Sequence, residues 1–331
     1  MTAVGIQSLA DAISLWNQMP ETRQPATAAN WLRTAIRLVM TRRRYSRDLA
    51  LAYYRLARAL RTGTTIANPR KPEPRYITLD VLRDEFIALA NPQSTPPPAP
   101  DEAEPAPDEP NPVDDSDTES DSDDADRILV EEIEELEREQ ARIEAEAERE
   151  AAELLLQLGP LNLNRKTHDL DTSQPADVVD EQRDDAHQQA GRRQAATLER
   201  LVMNGGRSTT WSIAARDKRA LGWARVSKSG TPCGWCAMLI SRGAVYRSEQ
   251  SALFSDGDKY HDNCHCDTVI VFTAAQFESP RFDLNREYAE LWPEVTKGLN
   301  GKAALKAWRT FIRRQQRAQA AQPTNAQEAA T

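Results

Sequence analysis

Pro232-Cys233-Gly234-Trp235-Cys236-Ala237-Met238-Leu239 and Tyr260-His261-Asp262-Asn263-Cys264-His265-Cys266 are the two stretches that decide how the C-terminal part folds. Together they hold all 4 cysteines of a 331-residue chain and two of its 4 histidines. A Cys-x-x-Cys turn aims two thiolates at one point, and a second pair from a distant segment completes a tetrahedron. Soft thiolates with imidazole favour zinc among the common metals. Six possible donors exceed the usual four, so the preferred set is Cys233, Cys236, Cys264 and either Cys266 or His261. Other readings use the same residues. Two disulfides would serve in an oxidising setting, and small buried cysteines with His261 capping a turn would need no cross-link. A redox dithiol lacks its usual βαβ context.

Working outward, Trp223-Ala-Arg-Val226 and Asp267-Thr-Val-Ile-Val-Phe272 read as strands on either side of the cysteine groups, with Gly243-Ala-Val-Tyr246 as a third. So small a sheet has little core of its own and gains from a staple. Upstream, a polar helix opens near Pro175 and is expected to end at Asn204-Gly205-Gly206, with Ser208, Thr209 and Thr210 as turn hydroxyls and residues 161–174 as a loop. Before it, Leu129, Ile133, Leu136, Ile143, Ala147, Leu154 and Leu158 alternate at 3 and 4, with Gln140 and Ala151 in the seam and Glu outside. That is one long acidic helix, stopped by Gly159-Pro160, suited to a coiled coil or to packing in a larger assembly.

The N-terminal part is helical. Ile6, Leu9, Ile13 and Trp16 mark one face, and Thr27–Leu60 has neither Pro nor Gly, so it forms one long helix or two before Gly63. A short helix follows from about Thr78, with Leu79, Leu82, Phe86 and Leu89 on one side and Asp80 in its first turn.

Charge divides the chain more sharply than hydropathy does. The net charge of −9 hides a basic N-terminal block, an acidic middle and a basic C-terminal block. Ser94–Asp126 has many acids and prolines, no basic residue and no aromatic, so it cannot bury enough apolar surface to stay ordered. No run reaches the roughly 18 apolar residues of a membrane span, and the N-terminus has no signal-peptide pattern, so a membrane partner is not expected. Arg42–Arg47, and Lys302, Lys306, Arg309, Arg313, Arg314 and Arg317, could meet phosphates without reading bases, or serve as solvated or docking faces.

The order Trp223-Ala-Arg-Val226, Pro232-Cys-Gly-Trp-Cys236-Ala-Met-Leu239, Arg242-Gly-Ala-Val-Tyr246 and Tyr260-His-Asp-Asn-Cys-His-Cys266 resembles the head-morphogenesis domain of MuF-type minor capsid proteins of tailed phages, over about residues 190–275. Ile66-Ala-Asn-Pro-Arg70 and Ile77-Thr-Leu-Asp-Val-Leu-Arg-Asp-Glu-Phe86 are similar to actinobacteriophage members. The resemblance implies a low-copy virion protein that acts in head assembly near the portal, with portal, major capsid or scaffold proteins as partners, and, as one alternative, one that leaves with the DNA. Relatives are often labelled capsid maturation proteases. No Gly-x-Ser-x-Gly elbow or His-Glu-x-x-His helix supports that label here. His168 and His187 have no evident nucleophile beside them, and a Cys236–His261 dyad would exclude the cross-link.

The expected protein is mainly α with a small α+β Cys/His-stapled domain, a long charged helix and a disordered acidic linker. Its divisions are 1–92, 93–126, 127–159, 160–317 and a tail, 318–331. Assembly of the phage head is the first reading, a maturation peptidase the second, and a DNA-associated ejected protein the third.

Overall fold

A computed structural model describes residues 2–19, 25–68, 73, 76–91, 130–246, 262, 264 and 266–321. The expected disordered segment Ser94–Asp126 therefore lies outside the described residues, as do His261 and residues 322–331. The elements in chain order are helices α1 (Thr2–Asn17), α2 (Pro25–Thr62), α3 (Leu79–Ala90), α4 (Val130–Leu158), α5 (Pro160–His168) and α6 (Ala176–Arg216). Strand β1 (Gly222–Ser227), helix α7 (Gly234–Ile240) and strands β2 (Ala244–Tyr246) and β3 (Cys266–Val271) follow. A short α8 (Ala274–Phe277), a 3-10 turn (Pro280–Phe282), α9 (Asp283–Val295) and α10 (Gly301–Ala321) complete it. The chain is mainly helical with one small sheet and a cysteine cluster, as its periodicities predict.

The organising element is α6, at 41 residues about 60 Å long at 1.5 Å per residue. Gly205-Gly206 does not end it, as expected from sequence, because the helix uses these glycines as a crossing point. A Cβ on Gly205 would lie 3.0 Å from the Arg43 carbonyl oxygen of α2, and the Gly206 N–H donates to Ser46 Oγ at 3.2 Å. Thr209 and Thr210 are likewise helical, not turn residues. Their hydroxyls donate to the Gly205 and Gly206 carbonyls at 3.0 Å each, so they are satisfied without breaking the helix.

Along α6 lie α1, α2 and α4, sharing a core that includes Ala12, Trp16, Trp31, Ala35, Val39, Ala151, Leu155, Ala190, Ala195, Leu198 and Leu201. Residues from the first helices and from α6 thus build the same apolar interior. On α1 the buried stripe is Val4, Ser8, Ala12 and Trp16, while Ile6 stays 65% exposed and Ile13 38% exposed. Of the expected face, Trp16 is buried and Leu9 packs against the core, but Ile6 and Ile13 turn outward, because α1 approaches α6 closely and small side chains permit that. The loop expected at 161–174 also begins as a helix: Pro160 opens α5, where a missing N–H costs nothing. α2 is a single helix, closed by Gly63 at φ +78° with its N–H on the Ala59 carbonyl at 3.0 Å.

The acidic helix α4 buries Gln140, Ala147 and Ala151 of its expected seam, and toward its end Leu155, with Leu154 and Leu158 only half-buried. Its glutamates answer the arginines of the basic helices. Arg43, 2% exposed, donates to both Glu144 oxygens at 2.9 and 2.8 Å and to the Leu201 carbonyl at 2.5 Å. Glu139 meets Arg216 at 2.6 Å and Glu150 meets Arg200 at 3.2 Å. The alternation that suggested a coiled coil is therefore used within the chain along the described part of α4. Much of the Arg42–Arg47 block is also spent internally, since Arg42 pairs with Asp11 at 2.5 Å.

The sheet has the order β2-β1-β3, antiparallel throughout, with Trp223 opposite Ile270 and Ala224 opposite Val269. It packs on α2 through Tyr54, whose ring lies 5.7 Å from that of Phe272 just after β3, while Tyr54 and Arg58 also meet Asp217 at the end of α6 at 2.6 and 2.9 Å. No helix among the described residues is long and apolar enough to cross a membrane.

Candidate metal centre

Helix α7 begins within the first motif. Cys233 is its N-cap, and its sulfur accepts the Cys236 N–H at 3.4 Å, which folds Cys-x-x-Cys into a helical turn. Gly234 is needed there because α10 crosses so closely that a Cβ would lie 3.1 Å from the Arg309 Cα. Behind α7, Trp308 is fully buried, with Tyr288, Trp292 and Phe311 rings at 5.5, 5.1 and 5.7 Å. That aromatic cluster includes Cys236 and Cys266 and excludes water from them.

The second motif is held from the opposite side by α6. Arg207 donates to the carbonyls of Cys264 and Cys266 at 3.2 and 3.0 Å. Asp262 accepts from Thr197 Oγ1 at 2.7 Å and from Arg200 Nε at 2.8 Å. On α9, the Asn285 amide donates to the carbonyls of Arg225 in β1 and Ile240 at the end of α7, at 2.9 and 3.0 Å. Three separate elements thus hold the two cysteine segments against each other.

The result is a trio of thiols. The sulfurs of Cys236, Cys264 and Cys266 all lie within 4.8 Å of one another, and Cys236 and Cys264 are 3.4 Å apart. Cys236 and Cys266 are buried, Cys264 is half-buried, Cys233 is exposed, and all four are free thiols. Hydrogen bonding with Cys233, Cys264 and Cys266 pushes the Cys236 thiol far above the ordinary range. Cys264 is pulled far below it by hydrogen bonds with Cys236 and Cys266, with Arg207 adding a favourable charge. The three sulfurs therefore share one hydrogen-bonded network, in which Cys264 gives up its proton most readily and Cys236 least. A second or third thiolate at this depth requires a cation, and a bound metal deprotonates its thiols outright.

The donor set fits such an ion. With metal–sulfur bonds of about 2.3 Å, tetrahedral ligands sit about 3.8 Å apart, close to the spacing found here. These three cysteines could hold a metal ion, and no other group of three or more Cys, His, Asp or Glu side chains converges in this way among the described residues. Of the five residues expected from sequence, Cys236, Cys264 and Cys266 come together. Cys233 stands one helical turn away, beside Cys236, and His261 lies outside the described residues. Sequence reasoning missed Arg207, Arg200 and Thr197, the clamp on the second motif. Reading Gly205-Gly206 as a helix end left Arg207 outside the helix; Thr197 and Arg200, within it, carry no local signal of a partner more than 60 positions away.

A protein-family model described as VG15 protein matches residues 172–294, from the start of α6 through the cysteine centre to α9. That match supports a phage protein. Comparison with curated proteins and with solved structures yields no match.

Proposed function

We propose that this chain is a minor capsid protein of a tailed phage, of the MuF-like kind, which joins head components during assembly near the portal. The observation that carries the reading is the folded unity of the motif order. Cys-x-x-Cys on α7, the short strand β2 and Cys-x-Cys at the start of β3 form one module, and the segment matched by the VG15 protein family spans it. Portal, major capsid and scaffold proteins are the partners this reading calls for.

The metal in this proposal is zinc, with Cys236, Cys264 and Cys266 as three ligands and Cys233 or His261 as the fourth. Bound there, it supplies a structural cross-link between α7 and β3. The site favours that role over peptidase chemistry: Cys236 is only 1% exposed, out of reach of a substrate, and a sulfur bound to zinc is not available as a nucleophile.

The test uses purified particles of the phage that encodes the chain. Quantitative mass spectrometry is expected to find it at low copy in the head, and particles made without it are expected to show defective heads with normally processed capsid protein. Absence from the particles would overturn the reading, and so would loss of capsid-protein cleavage in its absence that the purified protein restores. Elemental analysis of the purified chain is expected to give one zinc per molecule.

A further inference from the structure

Most arginines of this protein are spent on internal partners, but those of α10 are not. The helix has no acidic residue between Gly301 and Ala321. Lys302, Lys306, Arg309, Arg313 and Arg317 recur every 3 or 4 positions, and all five are exposed. At 100° per residue they fall within about 80° of arc, along about 22 Å of axis. The opposite face is buried through Ala304, Trp308 and Ile312, which fixes the cationic stripe outward. None of the five makes an ion pair among the described residues; Arg309 rests over the Trp235 ring at 5.9 Å and stays exposed.

We infer that the outward face of α10 binds the sugar–phosphate backbone of double-stranded DNA without reading its sequence. The stripe is straight, convex and evenly spaced, which suits a polyanion of regular charge, one per about 1.7 Å of duplex axis. A groove about 12 Å wide admits a helix of this kind. Two amides that could pair with adenine are engaged within the protein: Gln316 donates to the Pro232 carbonyl at 2.6 Å and Gln315 to Glu287 at 3.4 Å. An acidic protein surface is the poorer fit, because no large exposed apolar residue lies on α10 to anchor such a partner. The inference goes beyond the assembly role proposed above.

The test is fluorescence anisotropy of the full chain with two 25-bp duplexes of unrelated sequence, between 50 and 200 mM salt. Equal affinity for both is expected, with a slope of log K against log salt of about −4.5 for five phosphate contacts. The double variant Lys306→Gln/Arg313→Gln, with unchanged circular dichroism, is expected to lose about 2 from that slope and to bind several-fold more weakly. Three results would overturn the inference: no binding at 50 mM salt, a slope unchanged in the variant, or stronger competition by polyglutamate than by unlabelled duplex. The last would assign the stripe to an acidic protein. Because the readout is DNA affinity, failure here leaves the particle experiment untouched.

Discussion

The helical body and the cysteine module solve the problem of stability in opposite ways. Where α1, α2, α4 and α6 meet, the interior is rich in alanine, and buried arginines are matched to carboxylates. Where α7, β3, α9 and α10 meet, it consists of a few large rings and the cysteines. Small side chains let long helices approach closely, so stability in the body is spread over many modest contacts. The module has too short a sheet for that and concentrates its stability in Trp308 and the thiol trio. Loss of one residue should therefore be graded in the body and close to all-or-none in the module.

The largest expected effect is Cys236→Ser. Structural zinc sites supply about 10–16 kcal/mol of apparent binding energy in small peptides, so with the proposed zinc in place this variant should lose metal binding and the fixed environment of Trp308. Most far-UV helical signal should remain, because α1, α2, α4 and α6 do not depend on the ion. Near-UV circular dichroism with elemental analysis reads both, and complete loss of helix would break the contrast between the two regions.

Next comes Arg58→Ala. Arg58 and Asp217 are 1% and 3% exposed, and removing one leaves a buried charge without its counterion. A loss of about 3–5 kcal/mol is expected in urea unfolding. The exposed Arg183–Asp180 pair, 48% and 68% exposed, makes the control: Arg183→Ala should cost no more than about 1 kcal/mol.

A third substitution probes close approach. At Gly191, a Cβ would lie 2.5 Å from the Trp16 ring. Gly191→Ala should cost about 1–3 kcal/mol through overpacking, although alanine is the better helix former. Ile6→Gln, on the outward face of α1, should change stability by less than about 0.5 kcal/mol. If the two effects came out reversed, the packing face assigned to α1 would be wrong.

The smallest effect is a pH dependence confined to the module. Burial, with the Glu287 charge adding to it, pushes the Tyr288 phenol up to about 12 from its usual 10.0. The folded state thus favours the neutral phenol. Its contribution is fully present below pH 10 and is lost as pH rises from 10 to 12. Ultraviolet titration of tyrosinate should show a late-ionising group in the wild type that is missing in Tyr288→Phe.

Several features were legible along the chain. The cysteine spacing announced a converging site, the β-branched run before Phe272 announced a strand, and the opposed charge blocks divided the chain, although not in a way that told on which pairs the arginines would be spent. Periodicity also placed α2 and α4, because a local 3.6-residue repeat depends only on neighbouring residues. What it could not tell was which face of a helix is covered. Ile6 and Ile13 look like core and are exposed, while Ala12 and Ser8 look neutral and are buried. That choice depends on interhelical distance, which no single segment encodes.

The same limit explains Gly205-Gly206. Read locally, two glycines after Asn204 end a helix, since glycine is a poor helix former. In the folded protein they continue it, because α2 crosses there and only a residue without a side chain lets the Arg43 backbone come within contact distance. By keeping α6 intact, that crossing carries Arg207 to the carbonyls of Cys264 and Cys266. Sequence alone determined which residues could form the centre, through the chemistry of thiols and their spacing. Tertiary structure alone decided which of them converge and what clamps them, because those contacts join residues 28 to 65 positions apart whose meeting depends on how whole helices pack.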